Sequence, residues 1–264
     1  MSQFVRETEV HRVGEGHWRG ELHRGWRIGE VPNGGYTLAL AGRVLREAMP
    51  HPDPLTVNAF YLAPTALGPV DCRVELLRAG GSTSFGNLRL YQGEELKLLV
   101  TAAYTDLEAL QGPSWSNLER PDIAPWEDCS GGNSQIEFAS RVEVRLARGG
   151  EVFRGAEPSG RGEFSGWLRH ADGSEPDAIS LLMFADAFPP PAFDIVGPVG
   201  WVPTVELTVQ LRAHPAPGPL QARLVSRSIS RGVVEEDGVY WDSEGTLVAL
   251  SRQTAKVRLP RSRG

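Results

Sequence analysis

The chain has 264 residues, 41% of them hydrophobic, with a formal net charge of −6 and a pI of about 5.6. That apolar content is enough for a globular interior, and the acidic balance gives no basic footprint for nucleic acid. No apolar run reaches the roughly 18 residues of a membrane span, and the opening Met-Ser-Gln-Phe-Val-Arg-Glu lacks an apolar signal core, so a cytoplasmic protein without membrane insertion is expected. Cys72 and Cys129 have neither metal-ligand spacing nor the look of a disulfide framework, and read as inert packing thiols.

In chain order, Thr8 to Val13 and His17 to Leu22 read as a strand pair. Val31-Pro32-Asn33-Gly34-Gly35 breaks the pattern, and Tyr36 to Ala48 follows as a helix with Leu38, Ala41, Leu45 and Ala48 on one face. Met49-Pro50-His51-Pro52 stops it. Strands are expected at Leu55–Leu62, Val70–Arg78, Ser84–Tyr91 and Lys97–Thr105, the last two joined at Gln92-Gly93-Glu94-Glu95. Residues 107–134 mix Pro, Trp, Ser and Asp without a period and read as an ordered connector. Two of its Trp residues would prefer to pack on something. Strands are then expected at Ile136–Ala147 and Glu163–His170. A second helix, Asp177 to Phe188, has Asp177 as N-cap and Pro189-Pro190-Pro191 as its stop. After the loop 192–200 come strands at Thr204–Arg212, Leu220–Ser228, Val233–Trp241 and Thr246–Leu259. One helix followed by antiparallel strands, twice over, is an α+β layout.

The two runs of strands resemble each other. Gly68-Pro69-Val70-Asp71-Cys72-Arg73-Val74 answers to Gly218-Pro219-Leu220-Gln221-Ala222-Arg223-Leu224 at an offset of 150, which carries on to place Tyr91 on Trp241 and Leu98 on Val248. Arg161-Gly162-Glu163-Phe164 similarly resembles Arg19-Gly20-Glu21-Leu22. Two copies are too few for a solenoid, so the pattern reads as a duplicated domain: residues 1–107, a connector at 108–134, and residues 135–264. A sheet wrapped around each helix would bury it nearly all round, which fits the apolar content of both.

Polar residues found in one copy only are the candidates for chemistry. Asp186 is the only charge between Ala178 and Phe193, and it falls on Gly42 when Pro176 is set on Pro32. Ionised carboxylates are almost never buried unless something satisfies or uses them. Gln253 is the one large polar residue on the apolar side of its strand, with Leu247, Ala249, Ser251, Ala255 and Val257, and its counterpart at the same offset is Ala103. Thr204 opens a strand and on its own reads as structural. Gly34 and Gly35 precede a helix N-terminus, whose free N–H groups favour a developing oxyanion. Arg43, Arg46 and the run Glu235-Glu236-Asp237 read as solvated faces. The six His residues form no metal or Ser-His-Asp pattern, and no G-x-S-x-G motif is present.

Pro32-Asn33-Gly34-Gly35-Tyr36, the helix ending Phe184-Ala185-Asp186, and Val248-Ala249-Leu250-Ser251-Arg252-Gln253 together resemble the double hot-dog acyl-CoA thioesterase II (TesB-like) family. The likeness covers most of the chain outside 107–134. It implies two tandem hot-dog repeats, each an antiparallel sheet around a helix, and hydrolysis of an acyl-CoA to free acid and coenzyme A. Its site residues carry over as Asp186 to activate water and Thr204 and Gln253 to position it, with Gly34, Gly35 and Met183 against the substrate and no metal or organic cofactor. Leu181, Leu182 and Phe184 join Met183 as candidate walls of an acyl tunnel. The abrupt end of the helix at Ala187-Phe188-Pro189 departs from the family pattern and leaves the acyl group undefined. A hydratase would want a His near Asp186, and none is there. A non-catalytic acyl-CoA or lipid-binding protein on the same scaffold is the alternative. The outer strands leave edges to be covered, so homo-oligomerisation stays open.

Overall fold

The computed structural model describes residues 1–131, 136–198 and 200–259. A short helix, α1 (Gln3–Glu7), is capped by Ser2 and leads to strands β1 (Val10–Gly14) and β2 (His17–Leu22). The two-residue strands β3 (Arg27–Ile28) and β4 (Val31–Pro32) pair with each other and deliver the chain to helix α2 (Gly34–Ala48). Four long strands follow: β5 (Asp53–Tyr61), β6 (Gly68–Ala79), β7 (Thr83–Gln92) and β8 (Glu95–Thr105). Beyond the connector lie β9 (Ser130–Gly131), β10 (Val142–Arg148) and β11 (Glu163–His170), then helices α3 (Ala178–Phe184) and α4 (Phe193–Val196). The chain ends with β12 (Thr204–Leu211), β13 (Leu220–Val225), β14 (Ile229–Ser230), β15 (Val233–Trp241) and β16 (Leu247–Lys256).

Among the described residues all strands but β3 and β4 form one sheet of 14, in the order β1-β2-β6-β7-β8-β5-β12-β16-β15-β13-β11-β10-β9, with β14 beside β15. The pairings between neighbours are antiparallel. The junction is β5 against β12, where Asn58 lies opposite Thr208, Phe60 opposite Glu206 and Thr56 opposite Gln210. A shift of 150 residues exchanges these partners, so the register is symmetric about Asn58 and Thr208. Asn58 Nδ2 donates to Thr208 Oγ1 at 2.8 Å and also to the Glu206 carboxylate.

The sheet closes over the two helices. In α2 the side chains of Tyr36, Leu38, Leu40, Val44 and Leu45 have no solvent exposure, and every residue of α3 is buried. Burying one such leucine contributes roughly 1.5–3 kcal/mol, so each helix is held by its enclosure more than by its intrinsic propensity. The N-caps are Asn33 and Asp177, which stand at the same place when Pro32 is set on Pro176. Asp177 and Ser180 form a reciprocal capping box.

Several expectations need correction. The second helix stops at Phe184 rather than Phe188. Asp186 N–H reaches back to Met183 O at 3.2 Å and Ala187 N–H to Phe184 O at 3.2 Å, so the last turn tightens before the prolines. Residues 192–200 are not all loop, because α4 lies within them. The strand expected from Ile136 begins only at Val142. Glu137 is gripped by Arg24 and Arg27, and Phe138 packs edge-on to Trp26, which pulls the segment off the sheet. The first strand starts at Val10, behind a helix the sequence reading missed. The offset of 150 also fails in the last strand. Five residues separate Trp241 from its partner Leu247, where four separate Tyr91 from Leu96. The Asp242 side chain accepts from the N–H groups of Glu244 and Thr246, which stabilises the longer turn. Register therefore sets Leu98 on Ala249 and Gln253 on Ala102 instead of Ala103. In β2 and β11 it sets His17 on Ser165, so the likeness of Arg19-Gly20 to Arg161-Gly162 has no structural counterpart.

Within the connector, Trp126 is buried between the guanidinium groups of Arg145 and Arg169, whose carbons lie 4.2 and 4.3 Å from the ring centroid. Trp115, by contrast, is 85% exposed. The boundary expected at 134–135 lies outside the described residues.

Candidate active site

Asp186 stands just past the C-terminal end of α3 and against the N-terminus of α2. A carboxylate is unwelcome at the first of these ends and welcome at the second. Its Oδ2 accepts the Gly35 N–H at 2.9 Å and the Asn33 side-chain amide at 3.1 Å. Asn33 Nδ2 also donates to the Asp186 carbonyl at 2.8 Å, while Asn33 Oδ1 caps α2 by accepting the Tyr36 N–H at 2.9 Å. One side chain thus caps one helix and holds the residue that follows the other. Burial pushes the Asp186 carboxyl up to about 6, against the opposing pull of the Gly35 N–H, the Asn33 amide and the Gly34 backbone.

The two glycines are needed for this approach. A Cβ on Gly35 would sit 2.4 Å from Met183 O and 2.9 Å from Asp186 Cβ. A Cβ on Gly34 would sit 2.9 Å from Asp186 Oδ2 and 3.0 Å from the Tyr61 ring. The Tyr61 hydroxyl donates to Gly34 O at 3.0 Å, which places this ring beside the carboxylate as well. Burial, then the charges of Asp186 and Glu206, raises the Tyr61 hydroxyl well above the usual tyrosine range. The Gly35 N–H, expected to be free for an oxyanion, is committed to Asp186. Met183 is fully buried, and it meets Gly35 through its carbonyl.

Thr204 and Gln253 are brought together by a register shift. Between Thr204 and Glu206 the pairing of β12 with β16 slips, so Thr204 lies opposite Ala255 and Gln253 opposite Leu207. Gln253 Nε2 then reaches Thr204 Oγ1 at 2.9 Å. Gln253 is 4% exposed, with Ala249, Ser251 and Ala255 of the same strand also buried, as alternation predicts. Among the described residues, Asp186 makes no direct hydrogen bond to Thr204 or Gln253. The Tyr240 hydroxyl links the regions, donating to Ala185 O at 3.2 Å and lying 3.4 Å from Ser251 Oγ.

Sequence reasoning missed Asn33, Tyr61 and Glu236. Glu236 is no solvated-face residue: it is 8% exposed, and its position on β15 lies directly opposite Gln253 on β16. Its neighbours Glu235 and Asp237, half-buried in the alternation of β15, lie on the opposite face.

Residues 22–106 match the acyl-CoA thioesterase N-terminal domain and residues 116–257 the acyl-CoA thioesterase C-terminal domain. The chain belongs to this family of acyl-CoA thioesterases, in keeping with the TesB-like resemblance of its sequence. A crystal structure of a candidate thioesterase II from Thermobifida fusca is 31% identical over 98% of both chains, with a TM-score of 0.90. A hot-dog protein from Alicyclobacillus acidocaldarius, 23% identical, covers 98% of this chain and 99% of its own with a TM-score of 0.85, and gives the fold as hot-dog. An uncharacterized protein of Mycobacterium tuberculosis is 27% identical over 91% of this chain and 90% of its own length. No helix among the described residues is long and apolar enough to cross a membrane.

Proposed function

We propose that the chain is a double hot-dog hydrolase of acyl-CoA thioesters, with tandem repeats at 1–107 and 135–264. Asp186 is its general base, and Thr204 and Gln253 position the attacking water. The observation that carries this reading is the Asp186 carboxylate itself. It is desolvated, oriented by the N-terminus of α2, and poised to titrate at about 6. A base is most effective when its pKa lies near the working pH.

In this reading a water oxygen bonds to the thioester carbonyl carbon and gives its proton to Asp186. The tetrahedral intermediate collapses with breakage of the C–S bond, and the departing sulfur takes up a proton as coenzyme A leaves. The Gly34 and Gly35 backbone orients the base rather than stabilising the oxyanion. The buried side chains Leu181, Leu182, Met183 and Phe184 back the acyl group, and no metal or organic cofactor enters the reaction.

The test is thiol release from short, medium, long and aromatic acyl-CoAs, run beside Asp186→Asn. The expected result is a fall in kcat of about 10²–10⁴-fold, the usual worth of a general base, with KM little changed. Undiminished turnover in the mutant would move the base elsewhere. Acyl-CoA binding without thiol release by the wild type would favour a non-catalytic binding protein.

A further inference from the structure

Glu236 is a buried acid that this chemistry does not use, and unlike the buried Asp53, Asp194 and Asp242 its carboxyl has no hydrogen-bond partner among the described residues. On β15 the inward positions are Val234, Glu236, Gly238 and Tyr240, all buried. Directly opposite residues on neighbouring strands have Cβ atoms about 4.5–5.5 Å apart, and the residue opposite Glu236 is Gln253. The amide oxygen of Gln253 is buried and, among the described residues, has no hydrogen-bond partner, although its Nε2 is bound to Thr204. An orphaned buried acceptor costs roughly 1–3 kcal/mol. In the first repeat the equivalent cross-strand pair is Gly86 and Ala102, so both polar partners occur together or not at all.

We propose that Glu236 is a positioning residue of the site, carried as a neutral acid that donates a hydrogen bond to the Gln253 amide oxygen and so fixes the Gln253 NH2 group on Thr204. This rests on the hydrolase reading above and extends it to a residue outside the water-holding pair. The amide oxygen has two lone pairs, so the bond from Glu236 leaves one for the attacking water.

The surroundings keep the proton on. A buried carboxylate needs a counter-charge or a proton. The charged and titratable groups acting on Glu236 are Asp186 beyond α3 and Asp237 and Tyr240 on its own strand, none of them cationic. The nearby cations Arg227 and Arg252 are both bound to Asp237, on the outward face of β15. Burial first, then the charges of Asp186 and Asp237, holds the Glu236 carboxyl well above the usual range. Asp186 has N–H donors to stabilise its charge and Glu236, among the described residues, has none, so Asp186 ionises first.

Two variants and one spectrum test this. Glu236→Gln keeps a donor for the amide oxygen, and Glu236→Leu removes it. With acyl-CoA as substrate, Glu236→Gln should retain kcat within about threefold at neutral pH, and Glu236→Leu should lose about tenfold in kcat at unchanged KM, the loss of one net hydrogen bond. Wild-type kcat should fall at alkaline pH as Glu236 ionises, and that limb should be missing in Glu236→Gln. Equal activity in all three proteins, or equal losses in the two variants, would overturn the assignment. The infrared spectrum supplies a reading independent of turnover: a protonated carboxyl C=O band at neutral pH, present in the wild type and Asp186→Asn and absent in Glu236→Gln. A wild type without that band overturns the assignment. A wild type with the band but no thioester hydrolysis rejects the hydrolase reading and upholds the neutral acid.

Discussion

Thr204, Glu236 and Gln253 occupy register positions that the first half of the molecule fills with Pro54, Gly86 and Ala102. Alignment of the helix N-caps adds Asp186 against Gly42. In the first half the same place is closed by packing. The Met49 methyl lies 2.2 Å from where a Cβ on Gly86 would stand, and Leu182 Cδ1 lies 2.4 Å from the corresponding point on Gly42. The two halves thus share a backbone plan and differ in whether its interior is filled or kept polar. Polar groups persist where neighbours can satisfy or use them: Asn33 and Gly35 reach across from the first half to hold Asp186, and Thr204 and Gln253 bond each other within the second.

The sharpest way to probe this contrast is pH. In the proposed reaction the base must be ionised, and burial pushes the Asp186 carboxyl up to about 6, so kcat/KM should fall roughly tenfold per pH unit below that value. A profile flat down to pH 4 would break the contrast at its centre. The same raised value has a stability consequence of opposite sense. A carboxyl raised on folding opposes folding above about 6 and ceases to do so as pH falls to its unfolded value of 3.8. Asp186→Asn should therefore melt higher than the wild type at pH 7 even as it loses turnover.

A smaller effect is expected at Gly35→Ala. The new methyl meets the Met183 carbonyl, a backbone atom that cannot swing aside. The cost should be about 1–3 kcal/mol in denaturant unfolding, with kcat lower because the Asp186 carboxylate loses its seat. Unchanged turnover would show that α2 does not orient the base. The smallest effect is expected at Gly86→Ala in the first half. There the new methyl meets the far end of the flexible Met49 side chain, which can turn away, and the Glu75 backbone carbonyl at 3.0 Å, which must give by a few tenths of an ångström. Stability should fall by about 1 kcal/mol, and thioester hydrolysis should stay at the wild-type rate. A loss of activity there would mean that the first half is not merely packed.

Much of this contrast was legible in the sequence. Asp186 stood out as a lone charge in an apolar run, and Gln253 as the polar member of an alternating strand. Both signals are local, and both survived folding. Asn33 was not legible, because its amide does its second job only when the end of α3 arrives from 153 residues away. Glu236 was hidden by its neighbours, since Glu-Glu-Asp resembles a solvated run. The alternation that exposed Gln253, applied to Val234, Glu236, Gly238 and Tyr240, would have turned it inward, and the offset of 150 already set it on Gly86. The early end of α3 was illegible for another reason. Ala185 to Phe188 are compatible with helix, and only the tightened bonds at Phe184 and Met183 divert the chain.

The bonds from Asn33 and Gly35 to Asp186 join residues that lie on opposite sides of the exposed stretch 108–120. A protease that nicks this stretch would leave the carboxylate on one fragment and its cradle on the other. Activity of the nicked protein would then depend on adhesion between the fragments along β5 and β12, and would vanish on dilution below their dissociation constant. Under the proposed roles neither fragment holds both the base and its cradle, so cutting this stretch would divide one site and not release two smaller enzymes.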